Sequence, residues 1–198
     1  MTMIELEPSA IHRGEDDLPW IDSGRGNEVK LLTAKISESL WIVRTRFQPG
    51  TAVQTHRHTG QVYAYTMSGS WHYKESEYVN RAGSFLYEPA GSVHTLLVPE
   101  DNTEVTDVWF QIYGANLNLD EEGNVESVTD AGSVLQWYLQ GCAEIGWEDP
   151  PGLTDGGVAS HPGAKGLARH LPQNQFVERH RWTPRPLRSV APTLELPS

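Results

Sequence analysis

An all-β fold, an antiparallel sandwich or barrel followed by one helix and an extended tail, is what this sequence predicts, on three observations. Between Leu40 and Gly114, apolar-rich runs of strand length recur at near-regular spacing with Gly- and Pro-containing turns between them. After them, Val134, Trp137, Tyr138 and Ile145 recur at helical spacing. Beyond Trp147 the periodicity fades, and 8 of the 13 prolines lie in residues 146–198.

The elements follow in order. Residues 1–29 form an amino-terminal arm; "MTMIELEPSAIHRGEDDLPW" has no basic patch followed by an apolar run, and no later segment reaches the ~18 apolar residues of a membrane span. A cytoplasmic location is therefore expected. The barrel takes residues 30–128: "LWIVRTRF" before Pro49-Gly50, "VQTHRH" before Thr59-Gly60, "VYAYTM" before Ser68-Gly69-Ser70, then "WHYKE", "AGSFLY", Pro89-Ala90-Gly91, "VHTLLV" and "VTDVWFQIY". A last hairpin, "LNLDEEGNVESV", turns on Gly123-Asn124. Its carboxylates are out of register for a calcium loop, which needs a glycine and a terminal bidentate Glu at fixed positions. Residues 129–146 form the helix, capped by Thr129 or Asp130 and packed on the barrel's outer surface. Residues 147–198 read as an extended Pro-rich tail, of a kind that can wrap a neighbouring subunit.

Composition bounds the function. The 198 residues, 38% of them apolar, suit one soluble domain with a substantial core. Cys142 is the only cysteine, so no disulfide framework exists and the thiol reads as a small buried residue near a helix end. Residues 1–145 carry 9 Lys and Arg against 21 Asp and Glu. Such a body repels phosphate backbones and anionic membranes, so neither nucleic acid nor a membrane surface is expected as a partner. A neutral small molecule fits better.

The pair His56 and His58 interrupts this pattern. With 8 histidines in the chain, about 0.3 His-x-His pairs arise by chance, so the pair carries meaning only in context. Residues two apart in a strand share a face, and two imidazoles about 6–7 Å apart there can converge on one ion. Facing the barrel interior, they would be costly without a metal or hydrogen bonds. His94 is the candidate third ligand, because "GSFLYEPAGSVH" ends one strand in a Pro-Gly turn and returns beside an earlier one. Three neutral imidazoles leave positions open for water, substrate or dioxygen. On spacing alone, three ordinary surface histidines fit equally well.

Gly50, His56, His58 and Gly69 stand in the register of the first cupin motif, and Gly83, Pro89 and His94 in that of the second. Across residues 40–114 the chain resembles a cupin, a double-stranded β-helix or jelly-roll barrel that holds one metal. Where the first motif usually carries a glutamate, this sequence has Val62. More narrowly, "DDLPW", "THRHTGQVYAYTMSGSWHY", "AGSFLYEPAGSVHTLLVPED" and "LNLDEEGNV" are similar to the 2,4'-dihydroxyacetophenone dioxygenase family, over residues 16–145. The resemblance implies iron(II) on His56, His58 and His94. It also implies insertion of both atoms of dioxygen between a ketone carbon and its hydroxymethyl neighbour, giving an aromatic carboxylate and formate. Zinc, nickel and manganese are alternative occupants of such ligands. The partners expected are a small-molecule ketone and dioxygen, and exposed barrel edges point to a homo-oligomer.

Glu88 is the expected catalytic residue, as a base, a hydrogen-bond partner of a ligand imidazole or a fourth ligand; as a bland alternative it is a solvated carboxylate beside Pro89. Trp71 and Tyr73 share one strand face and Tyr63 and Tyr65 another, with Trp109 on a later strand; each reads first as packing. His72 faces opposite to Trp71 and reads as exposed. His12, His161, His170 and His180 lie in irregular segments without partners. The competing functions are a β-diketone-cleaving cupin dioxygenase and a non-catalytic metal-binding sensor cupin. Nucleotide-sugar isomerases are disfavoured because Arg57 alternates outward and no basic cluster lines a pocket.

Overall fold

The computed structural model describes residues 11–147, 150 and 152–154; the tail expected over 147–198 falls almost wholly outside the described residues. Strands β1 (Ile21–Asp22), β2 (Asn27–Lys35) and β3 (Leu40–Phe47) are followed by β4 (His56–His58), β5 (Val62–Ser68), β6 (Ser70–Tyr73) and β7 (Asn80–Arg81). Then come β8 (Phe85–Glu88), β9 (Val93–His94), β10 (Leu96–Leu97), β11 (Thr106–Tyr113), β12 (Ala115–Leu119), β13 (Val125–Asp130) and helix α1 (Ala131–Glu144). The fold is nearly all-β, as expected, with one helix after the strands.

Pairing is antiparallel throughout. One sheet runs β1-β2-β3-β11-β5-β8, a second β13-β12-β4-β9 and a third, of three strands, β10-β6-β7. Period-two patterning decides which side is buried. Val62, Ala64 and Thr66 of β5 and Val108, Phe110 and Ile112 of β11 point inward, while Tyr63, Tyr65, Trp109 and Gln111 point out. The inward residues meet Trp71, Tyr73 and Leu96 from the third sheet in one apolar core. Trp71, fully buried, donates its indole N–H to Thr66 Oγ1 at 2.9 Å, so its polar atom is satisfied.

Pairing begins at Ile21, within the residues read as an arm, because Ile21 and Asp22 pair with Val29 and Glu28. Ahead of it, Trp20 lies against the charged outer face of the large sheet. Arg46 stands 3.9 Å from its ring centre, Lys30 4.7 Å and Arg44 5.3 Å. Arg44 also makes a two-pronged pair with Asp107 at 2.9 and 2.7 Å and an ion pair with Glu15. The charges of this face are thereby used on one another.

Helix α1 starts where the sequence places it. Asp130 accepts from the Ser133 backbone N–H and the Ser133 hydroxyl returns to the Asp130 N–H, both at 2.8 Å, closing a capping box. Val134, Tyr138, Gly141 and Cys142 are buried, and the Tyr138 hydroxyl donates to the Pro19 carbonyl. Ile145 departs from expectation: the helix ends at Glu144, and Ile145 lies exposed beyond its last turn. The hairpin turn is held by Asp120, whose carboxylate accepts the Asn124 N–H at 2.7 Å. Among the described residues, no helix is long and apolar enough to cross a membrane.

The β5–β6 turn depends on Gly69, which has φ +70°; a Cβ there would lie 2.6 Å from the Thr106 Cα. Gly69→Ala therefore combines a left-handed backbone penalty of about 1–2 kcal/mol with displacement of β11, and a stability loss of ~2 kcal/mol or more is expected in urea unfolding.

Candidate metal centre

In β4 the alternation is complete: His56 and His58 are buried and Arg57 between them is exposed. Strand β9 lies antiparallel beside β4 with His94 directly opposite His56 and Val93 opposite Arg57. The turn that returns the chain is tied to His58, whose N–H donates to the Ser92 carbonyl at 3.0 Å and whose carbonyl accepts from Gly91 at 2.7 Å. One histidine from β9 is thus added to two from β4 on the same inward face.

The three rings converge. Their centres lie 4.8–4.9 Å apart, and one nitrogen of each lies within 4.8 Å of the other two. His58 Nε2 and His94 Nε2 are 3.0 Å apart. Two imidazole lone pairs at that separation repel unless a proton or a cation lies between them. Ligands at right angles around an ion, with bonds of about 2.0–2.1 Å, are separated by roughly 3 Å, so the spacing fits a shared ion. His56 donates Nδ1–H to the Gln54 carbonyl at 2.8 Å, which leaves its Nε2 lone pair free. The buried group can hold a metal through three imidazole nitrogens.

Glu88 reaches this group from the other layer. It ends β8 in the six-stranded sheet and is 3% exposed, which removes the solvated-turn reading. Its Oε2 lies 3.0 Å from His58 Nε2 and 3.2 Å from His94 Nε2, and Oε1 accepts the Tyr73 hydroxyl at 2.5 Å. The carboxylate touches two of the three imidazoles and stands beside the triad. Its cross-strand partner on β5 is Val62. The valine that replaces the usual motif glutamate therefore sits directly opposite a glutamate supplied by another strand.

Electrostatics follow from this packing. Burial alone would raise the Glu88 pKa, but hydrogen bonds to His58 and His94 and their charge outweigh it and hold the carboxyl down at about 2. Burial pushes His56 down to about 4, and the charges of His58 and His94 act in the same direction against the raising effect of the Gln54 carbonyl. Burial, with the charge of Glu88 and the hydrogen bond to it, lifts Tyr73 well above the ordinary phenol range. A carboxylate and a neutral His56 is the combination a metal centre requires near neutrality.

Of the aromatics, Tyr73 belongs to the site as well as the core. Its ring stacks on His94 with centres 3.8 Å apart and planes 8° from parallel. The sequence placed it on the Trp71 face but not against a ligand imidazole, because alternation gives the face and not what the face meets. Tyr65 is exposed, and Tyr63 and Trp109 are half-buried on the outer side of the large sheet. His72, read as exposed, is half-buried because Leu97 of β10 pairs opposite it. His12 is exposed, and His161, His170 and His180 lie outside the described residues.

Residues 9–110 match the family described as ChrR Cupin-like domain. Among solved structures, an RmlC-like cupin protein from Ralstonia eutropha JMP134 superposes with a TM-score of 0.68 at 28% identity, covering 72% of this chain and 92% of that one. A protein of unknown function with a cupin-like fold from the same organism gives 0.60 at 32% identity, over 69% and 91%. The acetylacetone dioxygenase of Acinetobacter johnsonii gives 0.59 over 71% and 97%, and its 14% identity makes this a likeness of fold. No curated protein matches the sequence.

His56 and Glu88 give a pH dependence with one sign. Between about 4 and the ordinary 6.5 for His56, and between about 2 and the ordinary 4.5 for Glu88, the unfolded chain binds a proton that the folded chain does not. Stability of metal-free protein is therefore expected to fall as the pH drops from 6.5 through 2. In urea unfolding across this range, Glu88→Gln should flatten the part below 4.5 and leave the upper part in place.

Proposed function

The chain belongs to the ChrR cupin-like domain family, and from that premise we propose that it is an iron(II)-dependent dioxygenase that cleaves the carbon–carbon bond beside an activated ketone. The substrate class is an aromatic α-hydroxyketone of the 2,4'-dihydroxyacetophenone type. The observation that carries the reading is the buried triad His56, His58 and His94 with an ionised carboxylate, Glu88, against two of its members. Similarity of sequence segments over 16–145 to the dihydroxyacetophenone dioxygenases supports the substrate class.

Iron(II) held by His56, His58 and His94 would supply redox chemistry and Lewis acidity toward a hydroxyketone and dioxygen. The protein's own part is positional and acid–base. Neutral imidazoles bring no charge to the ion, so the centre keeps a positive charge that favours an ionised substrate hydroxyl. Glu88 Oε2, facing the same point as His58 Nε2 and His94 Nε2, accepts the proton that the hydroxyl loses. Tyr73 donates to Oε1 and stacks on His94, which fixes carboxylate and imidazole together. Across the whole reaction, the bond between the carbonyl and hydroxymethyl carbons breaks, and each carbon gains one atom of dioxygen. The products are an aromatic carboxylic acid and formic acid, with all atoms accounted for.

A β-diketone substrate is the second reading, favoured by the named activity of the Acinetobacter johnsonii fold relative. Oxygen uptake by anaerobically iron(II)-loaded protein separates the two. With 2,4'-dihydroxyacetophenone, one dioxygen per substrate is expected, yielding 4-hydroxybenzoate and formate. His94→Ala should abolish both iron retention and uptake. Glu88→Gln should keep iron and lose about 10²–10⁴-fold in turnover. Uptake with acetylacetone alone would move the substrate to the diketones. Stoichiometric iron without uptake on either substrate would overturn catalysis in favour of a metal-binding sensor.

A further inference from the structure

Antiparallel pairing extends the metal-binding face one strand beyond β4. Strand β12 pairs with β4 so that Asn116 lies directly opposite His58 and Asn118 opposite His56. Directly opposed residues project from the same face with Cβ atoms about 4.5–5.5 Å apart, so Asn116 shares the inward side with a ligand imidazole. Two polar atoms on this pair are buried without a hydrogen-bond partner: His58 Nδ1 and Asn116 Oδ1. One is a potential donor and the other an acceptor, on adjacent positions of the same sheet.

We propose that Asn116 is the positioning residue of His58, its Oδ1 accepting the Nδ1–H of that imidazole when Nε2 carries the metal. The inference rests on the metal-centre reading and names how one of its ligands is held. His58 Nε2 is the nitrogen turned toward His94 and Glu88, so it is the ligating atom. A neutral imidazole that ligates through Nε2 must carry its proton on Nδ1. That N–H is buried, and a buried donor without an acceptor is costly. His56 solves the same problem with the Gln54 carbonyl at 2.8 Å. For His58 the acceptor on the directly paired residue is the Asn116 side chain. Asn118 is committed elsewhere, since its amide donates to Ser127 and Thr129 hydroxyls at 3.0 and 3.2 Å. The requirement also orients the Asn116 amide, because only the oxygen can accept from Nδ1–H.

The test uses the full chain loaded with zinc(II), which is diamagnetic and suits imidazole ligands. Chelator competition should show Asn116→Leu binding zinc about 10–100-fold more weakly than wild type, and Asn116→Asp, which keeps an acceptor, restoring most of the affinity. Metal-free thermal unfolding of the same variants separates loss of fold from loss of positioning. In long-range proton–nitrogen spectra of zinc-loaded wild type, His58 should carry its proton on Nδ1, in slow exchange with water, and the Leu variant should lose that protection. Wild-type affinity in a folded Asn116→Leu protein, or rapid exchange of the His58 Nδ1 proton in wild type, would overturn the assignment of Asn116 while leaving the triad intact. Failure of wild type itself to bind zinc would overturn the triad reading and this assignment with it.

Discussion

Three imidazoles and a carboxylate buried between apolar layers are tolerable only as partners of one another or of an ion, and this constraint organises the rest of the molecule. Each such group desolvated alone would cost several kcal/mol. The fold meets the requirement by delivering the groups from opposite layers. Strands β4 and β9 bring the histidines from one sheet, and β8 brings Glu88 from the other. The apolar core formed by Val62, Val108, Phe110 and Trp71 fixes the spacing between the layers. Tyr73 joins the two kinds of packing, apolar against Trp71 and polar at Glu88. The site is therefore a local property of the barrel's closure rather than of a loop.

Placement of the carboxylate carries the chemical consequence. A glutamate at residue 62 would project from β5; here Val62 is buried at that point and Glu88 stands opposite it across the strand pair. With the acid on β8, the edge neighbour of β5, one negative charge lies near the imidazoles. Tyr73 holds that carboxylate through one oxygen, leaving the other to face the histidines. A carboxylate anchored in this way touches two imidazoles and is held ionised.

The parts of this arrangement readable in the sequence were those governed by short-range rules. Strand periodicity placed β3, β5 and β11 almost to the residue, and Thr129 or Asp130 marked the start of α1, of which the structure uses Asp130. The His-x-His spacing put two imidazoles on one face, and the Pro-Gly turn before His94 returned a third. Register and layer contacts were not readable. Alternation cannot say that Glu88 opposes Val62, that Tyr73 meets His94 or that Asn116 opposes His58, because each depends on which strands close against which over tens of residues. The β1–β2 pairing was likewise hidden, since Ile21–Asp22 is too short to show a period.

Charge distribution supports the same division of labour. The outer face of β2, β3 and β11 carries Lys30, Arg44 and Arg46, yet these cations are spent on Glu15, Asp107 and the Trp20 ring. Their use is to hold the segment around Trp20 on the sheet. Inside, the triad is neutral at His56, and Glu88 is the carboxylate hydrogen-bonded at the layer interface. A divalent ion on the triad would meet one full negative charge at close range. The protein thus separates the charges paired on the outer face of the sheet from Glu88, the buried carboxylate set against the imidazoles.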